Sequence, residues 1–362
     1  MEIMLISVEF WRSKRVLLTG HTGFKGGWLS LWLQSMGVNL HGLSLEPSTN
    51  PNLFTVSNIS SGMNSTIGDI RDYETVRKVI SEFKPDIVIH MAAQPLVRRS
   101  YDDPIETYST NVMGVVHVLE AVRQISSVRV VLNVTTDKCY ENKEWVWGYR
   151  ENEPMGGFDP YSSSKGCSEL ITSAYKRSYF DKTGVGLASA RAGNVIGGGD
   201  WSTDRLVPDI LRSFETGKPV VIRNPDSTRP WQHVLEPLSG YLKLVEKLWD
   251  NPKRFSEGWN FGPLDTDVHS VSSVIGSLAK KWGSDAVWEV NKNITPHEAH
   301  LLKLDISKAE RYLDWVPRWT LTIALEKVVE WHQGWLEGRF PRSLCEDQIS
   351  QFINFEKEKY LK

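Results

Sequence analysis

Cysteine is scarce in this chain. Cys139, Cys167 and Cys345 are scattered over 362 residues. An odd, dispersed set builds no disulfide framework and no CxxC pair, which fits a reducing compartment. Long apolar runs are missing too. Nothing approaches the ~20 consecutive apolar residues that span a bilayer. The opening MEIMLISVEFWRSKR lacks the basic start and continuous apolar core of a signal peptide. A cytoplasmic location is therefore expected. Net charge is nearly absent: 42 basic against 44 acidic side chains leave −2. That excludes the electrostatic footprint of a nucleic-acid or anionic-membrane binder. Internal repeats, low-complexity tracts and long linkers are not found.

Tryptophan is abundant, with fifteen residues; core packing is the default for them, with some available to line a cleft. The length exceeds one ordinary core and suggests two domains. Arg15–Thr19 (RVLLT) is a short strand that runs into Gly20-His-Thr-Gly23-Phe-Lys-Gly26. A helical segment Phe24–Met36 follows, with Gly37 as its stop. Val38–Ser44 reads as the next strand. A glycine turn placed between strand and helix is a dinucleotide cradle. One glycine permits the tight turn, one lets backbone approach a pyrophosphate, and one lets helix pack on strand. The helix N-terminus offers free N–H groups and positive dipole to the phosphates. Gly20, Thr22, Gly23, Phe24, Lys25 and Gly26 are the cofactor residues expected here.

The acid that usually binds the adenosine ribose is replaced by Ser44, with Glu46 two residues on. Glu46 is placed to reach the ribose hydroxyls and to repel a 2′-phosphate, so NAD is expected rather than NADP. Asp69 and Ile70 follow a third strand; Asp69 either bonds the adenine amine or caps the next helix, Tyr73–Phe83. Asp86–Ala93 is a fourth strand whose small Ala92-Ala93 end admits a cofactor. Gln94–Asp103 reads as a loop over the crevice, and Asn111–Gln124 as a helix.

Val130–Tyr140, VVLNVTTDKCY, is the informative stretch. Its β-branched first half is a buried parallel strand. Thr135, Thr136, Asp137 and Lys138 then sit at the strand's carboxyl end, which faces the ligand crevice in open α/β sheets. Tyr161 and Lys165 lie four apart in a helix reaching about Tyr179 and share a face. A free phenol, with pKa of ~10, is a poor base at neutral pH; a neighbouring ammonium and an oxidised nicotinamide favour phenolate. Val185–Ala190 is a sixth strand. The repeated alternation predicts an α/β, Rossmann-type doubly wound parallel sheet with a smaller C-terminal substrate-binding domain. Residues 1–190 are expected to form the NAD-binding domain, and 191–362 mainly the substrate domain, with some segments returning to the sheet. Ala324–Leu336 reads as an amphipathic helix, and Asp347–Lys362 as a charged surface helix. His297-Glu-Ala-His300 is not HExxH and lacks a third ligand, so no metal site is expected.

TGHTGFKG, HMAAQ, TTDK, YSSSK and RAGNVIG resemble, in order and spacing, the motifs of the extended short-chain dehydrogenase/reductase family, over nearly the whole chain. Within it, an acid/base pair after the Thr resembles the nucleotide-sugar 4,6-dehydratases. GFKGGWL, RPWQHVLEP and NFGP add, by the same resemblance, a CDP-linked sugar as substrate. The resemblance implies that Tyr161 takes the 4-hydroxyl proton, that Lys165 holds the nicotinamide ribose and lowers the phenol's pKa, and that Thr136 bonds the 4-oxygen. Lys138, where dTDP-glucose relatives have Glu, becomes the base at C5, and Asp137 the acid for the departing 6-hydroxyl. Gln94, Asn194, Arg205, Arg229 and His297 are the substrate residues expected. A homodimer built on the segments 111–124 and 163–179 is implied as well. Alternatives are a nucleotide-sugar 4-epimerase, which needs no Asp–Lys pair, and a non-catalytic NAD-sensing regulator, which needs no phenolate.

Overall fold

A computed structural model describes residues 6–222, 225–283, 287–290 and 301–360. His297 and His300 therefore lie outside the described residues. Seven strands form one parallel sheet: β1 Arg15–Thr19, β2 Asn39–Ser44, β3 Asn64–Ile67, β4 Ile87–His90, β5 Val130–Val134, β6 Gly186–Ala192 and β7 Gly258–Phe261. Their spatial order is β7-β6-β5-β4-β1-β2-β3. The order reverses between β1 and β4, so the carboxyl ends of these strands open a crevice at the switch point. β4, β5 and β6 are buried along their whole length, as expected of a parallel sheet covered on both faces.

One layer of helices, including Tyr73–Phe83 and Gly114–Arg123, packs on one face through Val76, Ile80, Val118 and Val122. The other face is covered by Phe24–Ser35 and Leu235–Asp250, with Trp28, Trp32, Leu238 and Leu242 in the larger core. Trp11, Trp28, Trp32, Trp259, Trp315 and Trp331 are fully buried and Trp201, Trp231 and Trp319 nearly so, so packing claims most of the tryptophan. A third core lies under Leu206–Thr216, Val271–Trp282 and Leu321–Leu336. The chain returns to the main sheet after residue 191, because β7 pairs with β6 in parallel.

Several local expectations change. The helix read as starting at Asn111 begins at Pro104, where Asp103 caps the Glu106 N–H at 2.8 Å, and continues through a π turn into Gly114–Arg123. Gln94–Asp103 is not all loop, since Val97–Asp102 is helical. The C-terminal segment forms a helix from Pro341 to Tyr360. It is not confined to the surface: Leu344, Cys345, Ile349 and Phe352 are buried, and Phe352 meets Trp32 edge-on at 5.9 Å. That packing is why Phe24–Ser35 is apolar on nearly every side. Asn133, a formal glycosylation acceptor, is sealed in β5 and bonds Ser168 at 2.9 Å and Thr172 at 2.8 Å.

Candidate active site

Gly20 has φ +79°, and a Cβ there would lie 2.7 Å from the Ala92 nitrogen. A Cβ on Gly26 would lie 2.1 Å from the Gly20 carbonyl oxygen. The turn is thus pressed against the end of β4 and against its own helix, and only glycine fits. Gly23 is exposed and starts Phe24–Ser35 with no side-chain cap. The first-turn N–H groups are left for an anion. This cradle fits the diphosphate of a dinucleotide. Thr22 ties the turn to the end of β2, with its hydroxyl 2.7 Å from that of Ser44. Glu46 beyond it is exposed.

At the adenosine end, Asp69 does not cap the next helix. Asp72 does, accepting from the Glu74 N–H at 3.1 Å, while Asp69 ion-pairs with Arg71 at 2.5 Å. That bond holds the Asp69 carboxyl below its usual range. Ile70 is buried and occupies the space that a side chain on Gly114 would need.

The crevice floor is built from β5 and Pro160–Tyr175. Asp159 caps that helix through the Ser162 N–H at 2.9 Å, with Pro160 in its first turn. Tyr161, Lys165 and Glu169 then fall on one buried face. After β5 the chain turns through a short 3₁₀ helix, Asp137–Cys139. The Thr136 hydroxyl donates to Asp137 Oδ1 at 3.0 Å, and Lys138 Nζ lies 3.4 Å from the same oxygen. Asp137 is only 1% exposed. A Cβ on Gly193 would sit 2.9 Å from Asp137 Oδ2, so glycine in the RAGN segment lets the β6 exit close over this carboxyl.

Thr136, Asp137, Lys138, Tyr161 and Lys165 therefore converge. Burial pushes the Tyr161 phenol above its ordinary value, with Asp137 adding to it, and the opposing influences are Lys138, the Thr136 hydroxyl and Arg205. Lys138 is the cation that acts most on the phenol here. Lys165 is itself lowered to about 8 by burial, against the pull of Glu169. It donates to the Val134 carbonyl at 3.4 Å.

The expected substrate residues separate. Arg205 acts electrostatically on Tyr161 and Lys25 from the crevice rim and pairs with Asp200 at 3.2 Å. Asn194 follows β6, and its carbonyl accepts the Gln232 N–H at 3.0 Å. Arg229 lies on a two-residue strand paired with His269–Ser270 and donates to the Thr228 carbonyl at 2.9 Å. Gln94 is buried, and its amide is committed to Leu96 and Thr107 at 2.6–3.0 Å; it shapes its loop instead of presenting a free amide.

The family model for GDP-mannose 4,6 dehydratase matches residues 17–328. The chain belongs to this family. It is 57% identical over 355 residues to the CDP-glucose 4,6-dehydratase of Salmonella typhimurium, covering 97% of this chain and 99% of that one. A dTDP-glucose 4,6-dehydratase of Xanthomonas campestris is 25% identical, covering 89% and 95%. Among solved structures, the dTDP-glucose 4,6-dehydratase of Streptomyces venezuelae with NAD and TYD bound superposes with TM-score 0.77 at 22% identity, covering 91% of this chain and 99% of that one. The UDP-glucose 4-epimerase of Thermotoga maritima with UDP-glucose also has TM-score 0.77 at 22% identity, covering 89% and 99%. These two share the Rossmann-type fold of the extended short-chain dehydrogenase/reductases.

Sequence reasoning missed three features of this family member's crevice. Glu169 and Arg191 form a buried ion pair under Thr135; the four-residue step from Lys165 to Glu169 was a usable signal. Lys25 turns inward, 3.4 Å from the Tyr241 hydroxyl. Burial, with Arg205 and Lys165 adding and Asp137 opposing, lowers it to about 7. Tyr241 carries no local signal, because its place depends on the packing of Leu235–Asp250 across the sheet.

Proposed function

We propose that this chain dehydrates CDP-D-glucose to CDP-4-dehydro-6-deoxy-D-glucose as an NAD-dependent hydro-lyase. The observation that carries the reading is the Thr136-Asp137-Lys138 turn beside Tyr161 and Lys165, in a chain 57% identical to a CDP-glucose 4,6-dehydratase. NAD, when bound, supplies a nicotinamide that accepts a hydride from C4 and returns it to C6. Its diphosphate would be held by Gly20, Thr22, Gly23, Phe24, Lys25 and Gly26. Ser44, Asp69 and Ile70 would meet the adenosine end, and Ala92, Ala93, Tyr161 and Lys165 the nicotinamide end.

Tyr161 takes the proton of the 4-hydroxyl, and Thr136 bonds the 4-oxygen. The resulting ketone acidifies C5, and Lys138 removes that proton. Asp137 protonates the 6-hydroxyl as it leaves as water. Lys138 then returns a proton to C5. Arg205, Arg229 and His297 would neutralise the substrate diphosphate, with Asn194 and Gln94 shaping its seat. A 4-epimerase needs Thr136, Tyr161 and Lys165 but has no task for Lys138 paired with the buried Asp137.

We assign residues 1–190 to NAD binding and 191–362 mainly to the nucleotide sugar. A homodimer fits the exposed apolar side chains on the helices around Pro104–Arg123 and Pro160–Phe180. Ile105, Met113, Phe158 and Leu170 are 81%, 46%, 79% and 61% exposed, and a second copy would cover them. A cytoplasmic setting agrees with three free thiols, two of them buried. No helix among the described residues is long and apolar enough to cross a membrane.

The test is incubation with NAD and CDP-, dTDP-, UDP- or GDP-hexoses. The alkaline absorbance of a 4-keto-6-deoxy sugar is expected with the CDP substrate. A C4 epimer as sole product would overturn the dehydratase reading.

A further inference from the structure

Among the described residues, the hydrogen bonds of the Asp137 and Lys138 side chains stay within their own turn. Thr136 Oγ1 and Lys138 Nζ both meet Asp137 Oδ1, at 3.0 and 3.4 Å. Where these two groups point therefore depends on what holds the turn itself.

Both ends of the turn reach one buried ion pair, Glu169–Arg191. At its start, the Thr135 hydroxyl donates to Glu169 at 2.5 Å. At its end, the Tyr140 hydroxyl accepts from Arg191 Nη1 at 2.7 Å. That hydroxyl has a second bond, donated to Oδ1 of Asn260 on β7 at 2.7 Å. Asn260 cannot turn its amide round. Its Nδ2 donates to the carbonyls of Tyr149 at 2.8 Å and Asp305 at 3.0 Å. Oδ1 must therefore accept, Tyr140 must give its one proton there, and its lone pairs are left for Arg191. Tyr140 is 1% exposed and Asn260 0%, so water does not compete for these bonds.

The ring of Tyr140 is held separately. It stacks on Tyr149 with centroids 5.3 Å apart and 22° between planes, and its backbone bridges to Met155. Loss of the hydroxyl alone keeps that packing and cuts the side-chain link from the end of the turn to β6 and β7. Tyr161 stands on another element, the helix Pro160–Tyr175, with its own cap at Asp159.

We propose that Tyr140, braced by Asn260, is a positioning residue for the second half of the reaction. Its hydroxyl sets the turn so that Lys138 meets the C5 proton and Asp137 meets the 6-hydroxyl. It touches neither substrate nor dinucleotide and acts through the turn. Hydride transfer from C4, which uses Tyr161, does not depend on it; elimination of water does. The inference rests on the dehydratase reading and deepens it.

The test is rapid mixing of the NAD-loaded enzyme with CDP-glucose, followed by the near-ultraviolet absorbance of reduced dinucleotide. Tyr140→Phe should form reduced dinucleotide at the wild-type rate and lose it about 10-fold more slowly, less than the ~100-fold that a 1 Å misplacement costs. Asn260→Leu removes the group to which Tyr140 donates and should slow the same phase. A role in stability alone would shrink both amplitudes together and leave both rate constants unchanged. That outcome would overturn the inference, as would slower formation or an unchanged decay in Tyr140→Phe. If Asn260→Leu fails to fold, Tyr140→Phe decides, because its ring packing and backbone bonds are kept. A wild type that yields no 4-keto sugar would instead strike the dehydratase reading itself.

Discussion

Glu169 grips Arg191 through two nitrogens, Nε at 2.9 Å and Nη2 at 2.8 Å, with both side chains nearly sealed from water. The same carboxylate accepts from the hydroxyls of Thr135 at 2.5 Å and Ser189 at 2.6 Å. Arg191 continues to the Tyr140 hydroxyl at 2.7 Å, which donates to Asn260 at 2.7 Å. The turn Thr136–Cys139 is therefore clamped at both ends from below. Burial alone would raise the Glu169 carboxyl, but Arg191 and the hydroxyls bring it below its usual range. Glu169→Gln leaves Arg191 buried without its charge partner. A loss of about 3–5 kcal/mol is expected, the range for breaking a buried ion pair. Denaturant unfolding measures it. The loss should shrink when Arg191→Met is combined with Glu169→Gln, because the orphaned charge is then gone.

In the proposed mechanism Tyr161 and Lys138 serve different halves of the reaction. Tyr161→Phe removes the group that takes the 4-hydroxyl proton, so no reduced dinucleotide should appear on mixing with CDP-glucose. Lys138→Ala removes the base at C5 after oxidation. The near-ultraviolet absorbance of reduced dinucleotide should rise and persist, while product formation falls by about 100-fold or more. Full turnover in Lys138→Ala would assign the C5 base elsewhere.

The exposed apolar helices predict a dimer that one charge can split. Leu170 is 61% exposed on the outer side of the helix that carries Tyr161 and Lys165. Leu170→Asp places a carboxylate where two copies would meet. The molar mass from light scattering should fall from twice the chain's 41.2 kDa toward one chain. An unchanged mass would remove this face from the interface.

The fold was legible wherever a local pattern and its physical cause coincide. The glycine turn, the Tyr73–Phe83 helix with its Val76, Val79, Ile80 and Phe83 face, and the polar end of β5 were readable for that reason. Tyr161 and Lys165 were readable because a helix turns four residues onto one side. The tail helix was misjudged because its charge sits beside Leu344, Ile349 and Phe352, whose partner Trp32 is some three hundred residues earlier in the chain. The influence of Lys138 on Tyr161 was hidden for a related reason. Spacing along a helix names Lys165, whereas the turn after β5 brings Lys138 nearer in effect. Gln94 shows the same limit: its residue type suits a sugar hydroxyl, but its own loop uses its amide.

Lys25 gives a prediction with a defined pH sense. Burial is the main cause that lowers it from 10.5 to about 7, with Arg205 and Lys165 adding. Below about pH 7 both folded and unfolded chains carry this proton, and the folded state bears the full cost of a buried cation. Between about 7 and 10.5 the unfolded chain binds more protons than the folded one. Stability contributed by this site therefore rises with pH across that window. Lys25→Met removes both the cost and the slope. The cofactor-free variant should be more stable than the wild type near pH 7, by about 2 kcal/mol once partial solvent access is allowed for. The difference should shrink as the pH approaches 10. Thermal unfolding at several pH values reads both. A difference that stays constant with pH would mean that Lys25 stays protonated throughout and that methionine gains only by packing.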